Sequence, residues 1–255
     1  MNQQNPHPGV ACFDGLLGIR STIRPYLKGN PNDLGWRFTN YCAINFMNSH
    51  AQLFQDLLVL FLLKDKRHGF FVEFGATNGR DLSNTFLLEE HFDWKGILAE
   101  PAKCWHAALK ANRNVEIDTR CVWSETGAQL EFTETEIAEL STLDNLVDKD
   151  FNKSERTIGA AYSVETISLN DLLKIHNAPR EIDYLSIDTE GSELTILQSF
   201  DFANYDIKIM TVEHNFVDPD RQEIFNLLSS KGFVRLFDRL SKFDDWYVQR
   251  SLLGR

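Results

Sequence analysis

The sequence predicts an α/β protein built on a mostly parallel β-sheet with helices on both faces. Three observations carry this expectation. Apolar runs at 70–74, 182–187 and 207–212 have the length and the β-branched or aromatic content of strands buried on both faces. Helix-type segments separate these runs, and that alternation builds a parallel sheet through right-handed crossovers. The first run ends in Glu73 and passes through Gly75 and Gly79 into a helix-like segment, the way a buried strand hands over to a nucleotide-binding turn.

Taken in order, residues 1–48 are rich in Asn, Pro and Gly without a sustained period and read as an N-terminal arm or cap holding a short helix. A domain of residues 49–255 follows. Ser49 stands three residues before Gln52, a capping-box spacing, and Leu53, Phe54, Leu57, Leu58, Phe61 and Leu62 continue at helical spacing. Strands are expected at 70–74, 96–99, 115–118 and 128–132, with helices around 82–91 and 102–111. Residues 133–163 are polar with weak periodicity and read as a loop insertion placed to cover an acceptor site. Ser168 and Asp171 open a helix to about 176; a strand at 182–187, a helix at 191–199 and a strand at 207–212 come next. Asp218-Pro219 starts a helix by the cap and first-turn proline rule, and Gly232 breaks it near its end. Residues 233–237 and 246–249 close the chain as a strand pair.

With 37 acids against 26 bases, the formal net charge of −11 argues against a nucleic-acid or anionic-membrane partner. Cys12, Cys42, Cys104 and Cys121 form no Cys-x-x-Cys pair, so neither a zinc ribbon nor a redox motif is indicated, and lone thiols fit a reducing compartment. The start of the chain lacks a basic and then apolar leader, and the longest apolar run, 57–63, is short of a membrane span. A cytoplasmic location without membrane insertion is expected.

Ligands in such sheets bind beyond the carboxyl ends of the strands, so the residues placed there are the candidates. Four ends carry chemistry. Glu73, Gly75, Asn78 and Gly79 form the first; its glycines allow close backbone approach, and its acid repels a pyrophosphate. Glu100, before Pro101 and some 20 residues past Gly79, stands where dinucleotide folds hold ribose hydroxyls. Asp188 and Glu190 follow the strand at 182–187, with Glu193 read as a helix N-terminal acid complementing the dipole. His214, beside Glu213 and Asn215, is a candidate general base. Asp188, Glu190, Glu213 and Asn215 are oxygen donors of the kind that hard cations accept, but the sequence fixes no geometry for them, and no metal site is predicted.

Together these pieces resemble the FkbM family of S-adenosylmethionine-dependent methyltransferases. The resemblance rests on Phe-Val-Glu-Phe-Gly-Ala-Thr-Asn-Gly at 71–79, Gly-Ile-Leu-Ala-Glu-Pro at 96–101 and Ile-Asp-Tyr-Leu-Ser-Ile-Asp-Thr-Glu-Gly-Ser-Glu at 182–193, with Val-Glu-His-Asn at 212–215 and Asp-Asp-Trp-Tyr at 244–247. It covers residues 49 to 250 and implies a Rossmann-like class I methyltransferase fold, a seven-stranded sheet whose last strand is antiparallel. It also implies S-adenosylmethionine as cofactor. Glu73, Gly75, Ala76, Asn78 and Gly79 would cradle its methionine part, Glu100 would take its ribose hydroxyls with Pro101 also in the cofactor site, and Cys121, Val122 and Trp123 would meet its adenine. The implied reaction is O-methylation, with a hydroxyl of a sugar in a polysaccharide, glycolipid or glycosylated natural product as acceptor. His214 is then expected as base, with Asp188 and Glu190 positioning acceptor or cofactor. The acceptor partner is a small molecule or glycan, and a homo-oligomer is compatible with the sequence. Three other readings stay open at this point: an NAD(P)-dependent oxidoreductase, a catalytically silent binding protein on the same fold, and a methyltransferase acting on nitrogen or carbon.

Overall fold

A computed structural model describes Asn30 and residues 32–135, 142–143 and 158–254. The chain divides into two units, Met1–Met47 and Asn48–Arg255. In the first, helix α1 (Leu34–Asn45) starts at Asp33, whose carboxylate accepts a hydrogen bond from the Trp36 amide at 3.1 Å, a side-chain N-cap.

The second unit begins with α2 (Gln55–Leu62), which starts five residues later than the Ser49 cap implies. Phe54 has φ 66°, a left-handed conformation that cannot continue a helix. The Ser49 hydroxyl instead donates to Asp56 at 2.6 Å, and Asp56 also accepts from the His50 amide. Strand β1 (Phe70–Phe74), helix α3 (Phe86–Phe92), strand β2 (Lys95–Ala99), helix α4 (His106–Asn112) and strand β3 (Glu116–Asp118) follow. Both helices start about four residues later than expected. Side chains that hydrogen-bond to backbone amides hold the preceding segments as turns: Asn78 on the amides of Arg80 and Asp81, Glu100 on that of Ala102.

Strands β4 (Cys121–Trp123), β5 (Gln129–Thr135), β6 (Thr142–Leu143) and β7 (Ile158–Ser168) form a second sheet in the order β4-β7-β5-β6. The loop expected over 133–163 is therefore strand at both ends, because β5 pairs antiparallel with β7 from Gln129↔Glu165 to Thr135↔Ile158. Most of what lies between falls outside the described residues. Next come α5 (Leu169–Ile175), capped by Ser168, whose hydroxyl accepts from the Asp171 amide at 3.1 Å, then β8 (Glu181–Ile187), α6 (Glu193–Ser199) and β9 (Asp206–Glu213). Helix α7 (Asp218–Ser230) has proline in its first turn and stops before Gly232, at φ 88°. Strands β10 (Phe233–Leu236) and β11 (Asp244–Gln249) and a short α8 (Arg250–Leu253) complete the chain.

The main sheet has seven strands in the order β3-β2-β1-β8-β9-β11-β10. Neighbours from β3 to β9 are parallel, and β11, the last strand, inserts antiparallel between β9 and β10. This is the class I methyltransferase arrangement that the resemblance implied. Val72, Phe74, Ile97, Leu185, Ile187, Met210 and Val212 are at most 1 % exposed and sit in one core with Leu172 and Leu173 of α5, Ile196 and Leu197 of α6 and Leu228 of α7. Burial of that many aliphatic and aromatic side chains, each worth about 1.5–3 kcal/mol, is what holds the layers together. Among the described residues no helix is long and apolar enough to cross a membrane.

Candidate functional site

Register decides where the site lies. Pairing sets Ala99, Phe74, Ile187 and Val212 in one row across the four central strands. The residue after each is then Glu100, Gly75, Asp188 and Glu213, so four separated sequence motifs arrive at one edge of the sheet. A cavity of about 580 Å³ opens there, and all four line it.

Gly75 makes the row close up. Its φ is 69°, and a Cβ at this position would lie 2.0 Å from the Asp188 carbonyl oxygen. Its amide donates to the Ala99 carbonyl at 3.1 Å, tying the loop after β1 to the end of β2. Thr77 then donates its amide to Glu100 Oε2 at 2.7 Å, while Ala102 donates to Oε1 at 2.8 Å. Each Glu100 oxygen keeps a lone pair for a further donor. Burial pushes the Glu100 carboxyl up to about 7, with the charges of Asp188 and Glu134 adding to it and the two amides opposing.

Asp188, Glu190 and Glu213 converge in the cavity beside Asn215: an oxygen atom from each carboxylate lies within 4.8 Å of the others. Burial first, then the neighbouring carboxylates, raises the Asp188 and Glu213 carboxyls above their ordinary values. Asn215 donates its amide to Glu190 Oε2 at 3.2 Å. Glu193 turns away to its own loop, accepting from the amides of Thr189 and Gly191 at 3.0 Å, as a helix N-terminal acid does.

Of the residues expected from sequence, Glu73, Gly75, Asn78, Glu100, Pro101, Cys121, Val122, Asp188 and Glu190 line the cavity. Four do not, and two roles change; Trp123 lies outside the lining. Ala76 is buried beneath the loop. Gly79 faces the protein, where a Cβ would meet Leu109 Cδ1 at 2.5 Å and Arg113 Cγ at 2.6 Å, so its requirement is packing against α4 rather than ligand approach. His214 lies outside the lining: Nδ1 accepts the Phe216 amide at 3.0 Å, and Nε2 looks toward Asp245 at 3.9 Å. Burial, with Arg221 nearby, lowers its pKa, so the imidazole is neutral, and it does not line the cavity. The Glu73 carboxylate reaches the cavity wall but is spent internally, accepting from the Asn84 amide at 2.8 Å and from the Ser83 and Thr85 hydroxyls, with Arg113 at 3.6 Å. Asn78 likewise spends its side chain on the loop.

Sequence reading missed Trp105 and Phe132, which line the cavity near Pro101, Cys121 and Val122, and Phe216 and Phe243 beside the acids. It also missed Asn84, whose Nδ2 donates to Ser186 Oγ at 2.9 Å while its buried Oδ1 has no partner. Phe216 and Phe243 lie close to strand ends, but Phe132 is in the middle of β5 and Asn84 lies ten residues past β1, so no local signal marks them. Outside the lining, Phe38 is buried, and the Tyr162 hydroxyl donates to Glu134 at 2.8 Å with Lys103 over its ring.

The electrostatic character of the cavity is uniform. Glu73, Asp81, Glu100, Asp188, Glu190 and Glu213 line it, and among the described lining residues there is no Lys, Arg or His. Such a wall favours cations and hydroxyl donors and repels phosphates.

Comparison with known proteins identifies a family through a family model alone. No curated protein matches the chain at a significant level. Among solved structures, the precorrin-6y C5,15-methyltransferase from Geobacter metallireducens GS-15 aligns with 9 % identity over 71 % of this chain and 70 % of its own, at a TM-score of 0.40. The CurJ carbon methyltransferase aligns with 12 % identity over 97 % and 72 %, at a TM-score of 0.36. The model of the methyltransferase FkbM domain matches residues 73–235. That span opens on Glu73 and takes in Glu100, Asp188 and Glu213, and the chain belongs to the FkbM methyltransferase family.

Proposed function

We propose that this protein is an S-adenosylmethionine-dependent O-methyltransferase acting on a hydroxyl group, with a sugar of a polysaccharide, glycolipid or glycosylated natural product as acceptor. The observation that carries the proposal is a cavity at the strand ends lined by six carboxylates and, among the described residues, no cationic side chain. The cofactor is a sulfonium with an ammonium group, and the donor set fits it. Asn84 Oδ1, buried and unpartnered, is an acceptor suited to an ammonium. Glu100 can receive both hydroxyls of a ribose. Pro101, Trp105, Cys121, Val122 and Phe132 make an apolar patch suited to an adenine. Bound there, S-adenosylmethionine would supply an electrophilic methyl group.

The remaining chemistry falls to the chain. The cavity walls exclude water and align the acceptor oxygen. Asp188 and Glu190, with Glu213, orient the hydroxyl and take up its proton; their burial and mutual repulsion make at least one of them a better proton acceptor than a surface carboxylate. His214 has a positioning role in this scheme, because its ring braces the turn after β9. Phe216 and Phe243 beside the acids suit the apolar face of a sugar ring. Residues 1–48 and 133–163 are proposed to cover the acceptor. The free thiols of Cys42, Cys104 and Cys121 support a cytoplasmic location.

Incubation with methyl-labelled S-adenosylmethionine and a panel of glycans tests the reading. Label is expected in a methyl ether, with Asp188→Asn lowering kcat by roughly 100-fold or more. Label found only on carbon or nitrogen would end the O-methylation assignment. Tight cofactor binding with no transfer to any acceptor class would favour the silent binding protein.

A further inference from the structure

We propose that Asp188, Glu190 and Glu213, with the side-chain oxygen of Asn215, form a binding site for one hard divalent cation of the Mg2+ or Mn2+ type. The first observation is convergence. The three residues come from the ends of two neighbouring strands, β8 and β9, and each offers an oxygen within 4.8 Å of the others. The second is independent of clustering: Glu213 is only 8 % exposed, lines the cavity, and its Oε2 has no hydrogen-bond donor. A buried carboxylate oxygen without a partner costs several kcal/mol unless something positive meets it. The Asp188 and Glu213 carboxyls hydrogen-bond to each other and so share a proton, but the described lining residues include no Lys, Arg or His to meet Glu213 Oε2.

Ligand chemistry narrows the ion. Three carboxylates and an amide oxygen are hard donors, and the cluster holds neither sulfur nor imidazole, which selects Mg2+ or Mn2+ over zinc or copper. Asn215 donates its Nδ2 to Glu190 Oε2 at 3.2 Å, which leaves Oδ1 as the fourth oxygen and orients Glu190 at the same time. Four protein donors are fewer than the six that an octahedral ion takes, so its other positions face the cavity. A cation here binds the apo protein irrespective of the methyl donor. Its use for holding an acceptor with two adjacent oxygen atoms, such as a vicinal diol, rests on the function proposed above. Asp188 has two oxygens, so ligation by one leaves the second to accept the acceptor's proton.

The test is a titration of the purified full-length protein with Mn2+, reading free Mn2+ by electron paramagnetic resonance, with no methyl donor or acceptor present. One Mn2+ per chain is expected, displaced by excess Mg2+. Glu213→Gln and Glu190→Gln are each expected to weaken binding by roughly tenfold or more, since affinity follows the charge count of the ligands. Circular dichroism confirms folding, and two variants at different strand ends keep the test informative if one of them unfolds. Absence of a stoichiometric site, or affinity unchanged in both folded variants, overturns the proposal. S-adenosylmethionine binding is measured in parallel: retained donor binding without Mn2+ binding removes the cation site alone, and the converse result removes the methyl-donor reading alone.

Discussion

Gly75 and Glu100 show how much the site depends on single atoms. A methyl group on residue 75 would collide with the carbonyl of Asp188, and the left-handed backbone already disfavours any side chain. Gly75→Ala is therefore expected to destabilise the protein by about 3 kcal/mol, from overpacking and the left-handed penalty combined, as read by urea denaturation. An unchanged midpoint would mean that β1 and β8 do not approach as described. At this scale the sequence was partly legible. Glu100 and Asp188 were marked by their strand-end positions and by the motifs around them, and both line the cavity. Glu73 and His214 looked equally chemical as letters. What separates them is which neighbours take their polar atoms: Ser83, Asn84 and Thr85 on the first, and the Phe216 amide on the second. Those partners lie within twelve residues of each, but nothing in the letters says which way the loops fold back.

At the scale of elements, the antiparallel end of the sheet is fastened by a buried carboxylate. Asp245 on β11 accepts from Arg221 Nη2 of α7 at 2.7 Å and Nε at 2.9 Å, and from Arg235 Nη1 of β10 at 3.0 Å. Burial alone would raise its pKa, but the hydrogen bonds and charge of Arg221, with Arg235, outweigh that and hold it below the usual carboxylate range. A depressed carboxylate adds stability above its unfolded pKa of about 3.9 and loses it as pH falls through the folded value. Asp245→Ala is expected to cost about 3 kcal/mol at pH 7, because it leaves two guanidinium groups uncompensated, and the difference from wild type should shrink below about pH 4. A constant difference across that range would show that packing, not charge, does the fastening. Elements with strong local signals were readable: the proline-started α7, the Ser168 cap of α5 and the apolar strands of the main sheet. Of the second sheet only β5, expected at 128–132, was. Strand β7 turns Tyr162, Val164 and Thr166 inward against exposed Ser163 and Glu165, a two-residue period carried by a tyrosine, a valine and a threonine, too weakly apolar to stand out from a loop.

Over the whole molecule, a negative net charge of −11 and an all-acid cavity act in the same direction, drawing a cationic cofactor toward the carboxyl ends of the strands. The fold brings those acids together at a cost in their ionisation, and a bound cation relieves it, so ligand binding and stability are linked. Glu100 gives this linkage a sign. Its carboxyl stands at about 7 in the free protein, and ribose hydroxyls favour its ionised form, so cofactor affinity should fall as pH drops below about 7. The most direct test of the central claim is calorimetric titration of S-adenosylmethionine into the wild-type protein and Glu100→Gln between pH 6 and 8. One site per chain is predicted, with affinity rising across that range in the wild type, while the variant binds roughly tenfold or more weakly with a flatter profile. Absence of binding, or equal binding and the same pH profile in both proteins, would contradict the assignment of this cavity to the methyl donor.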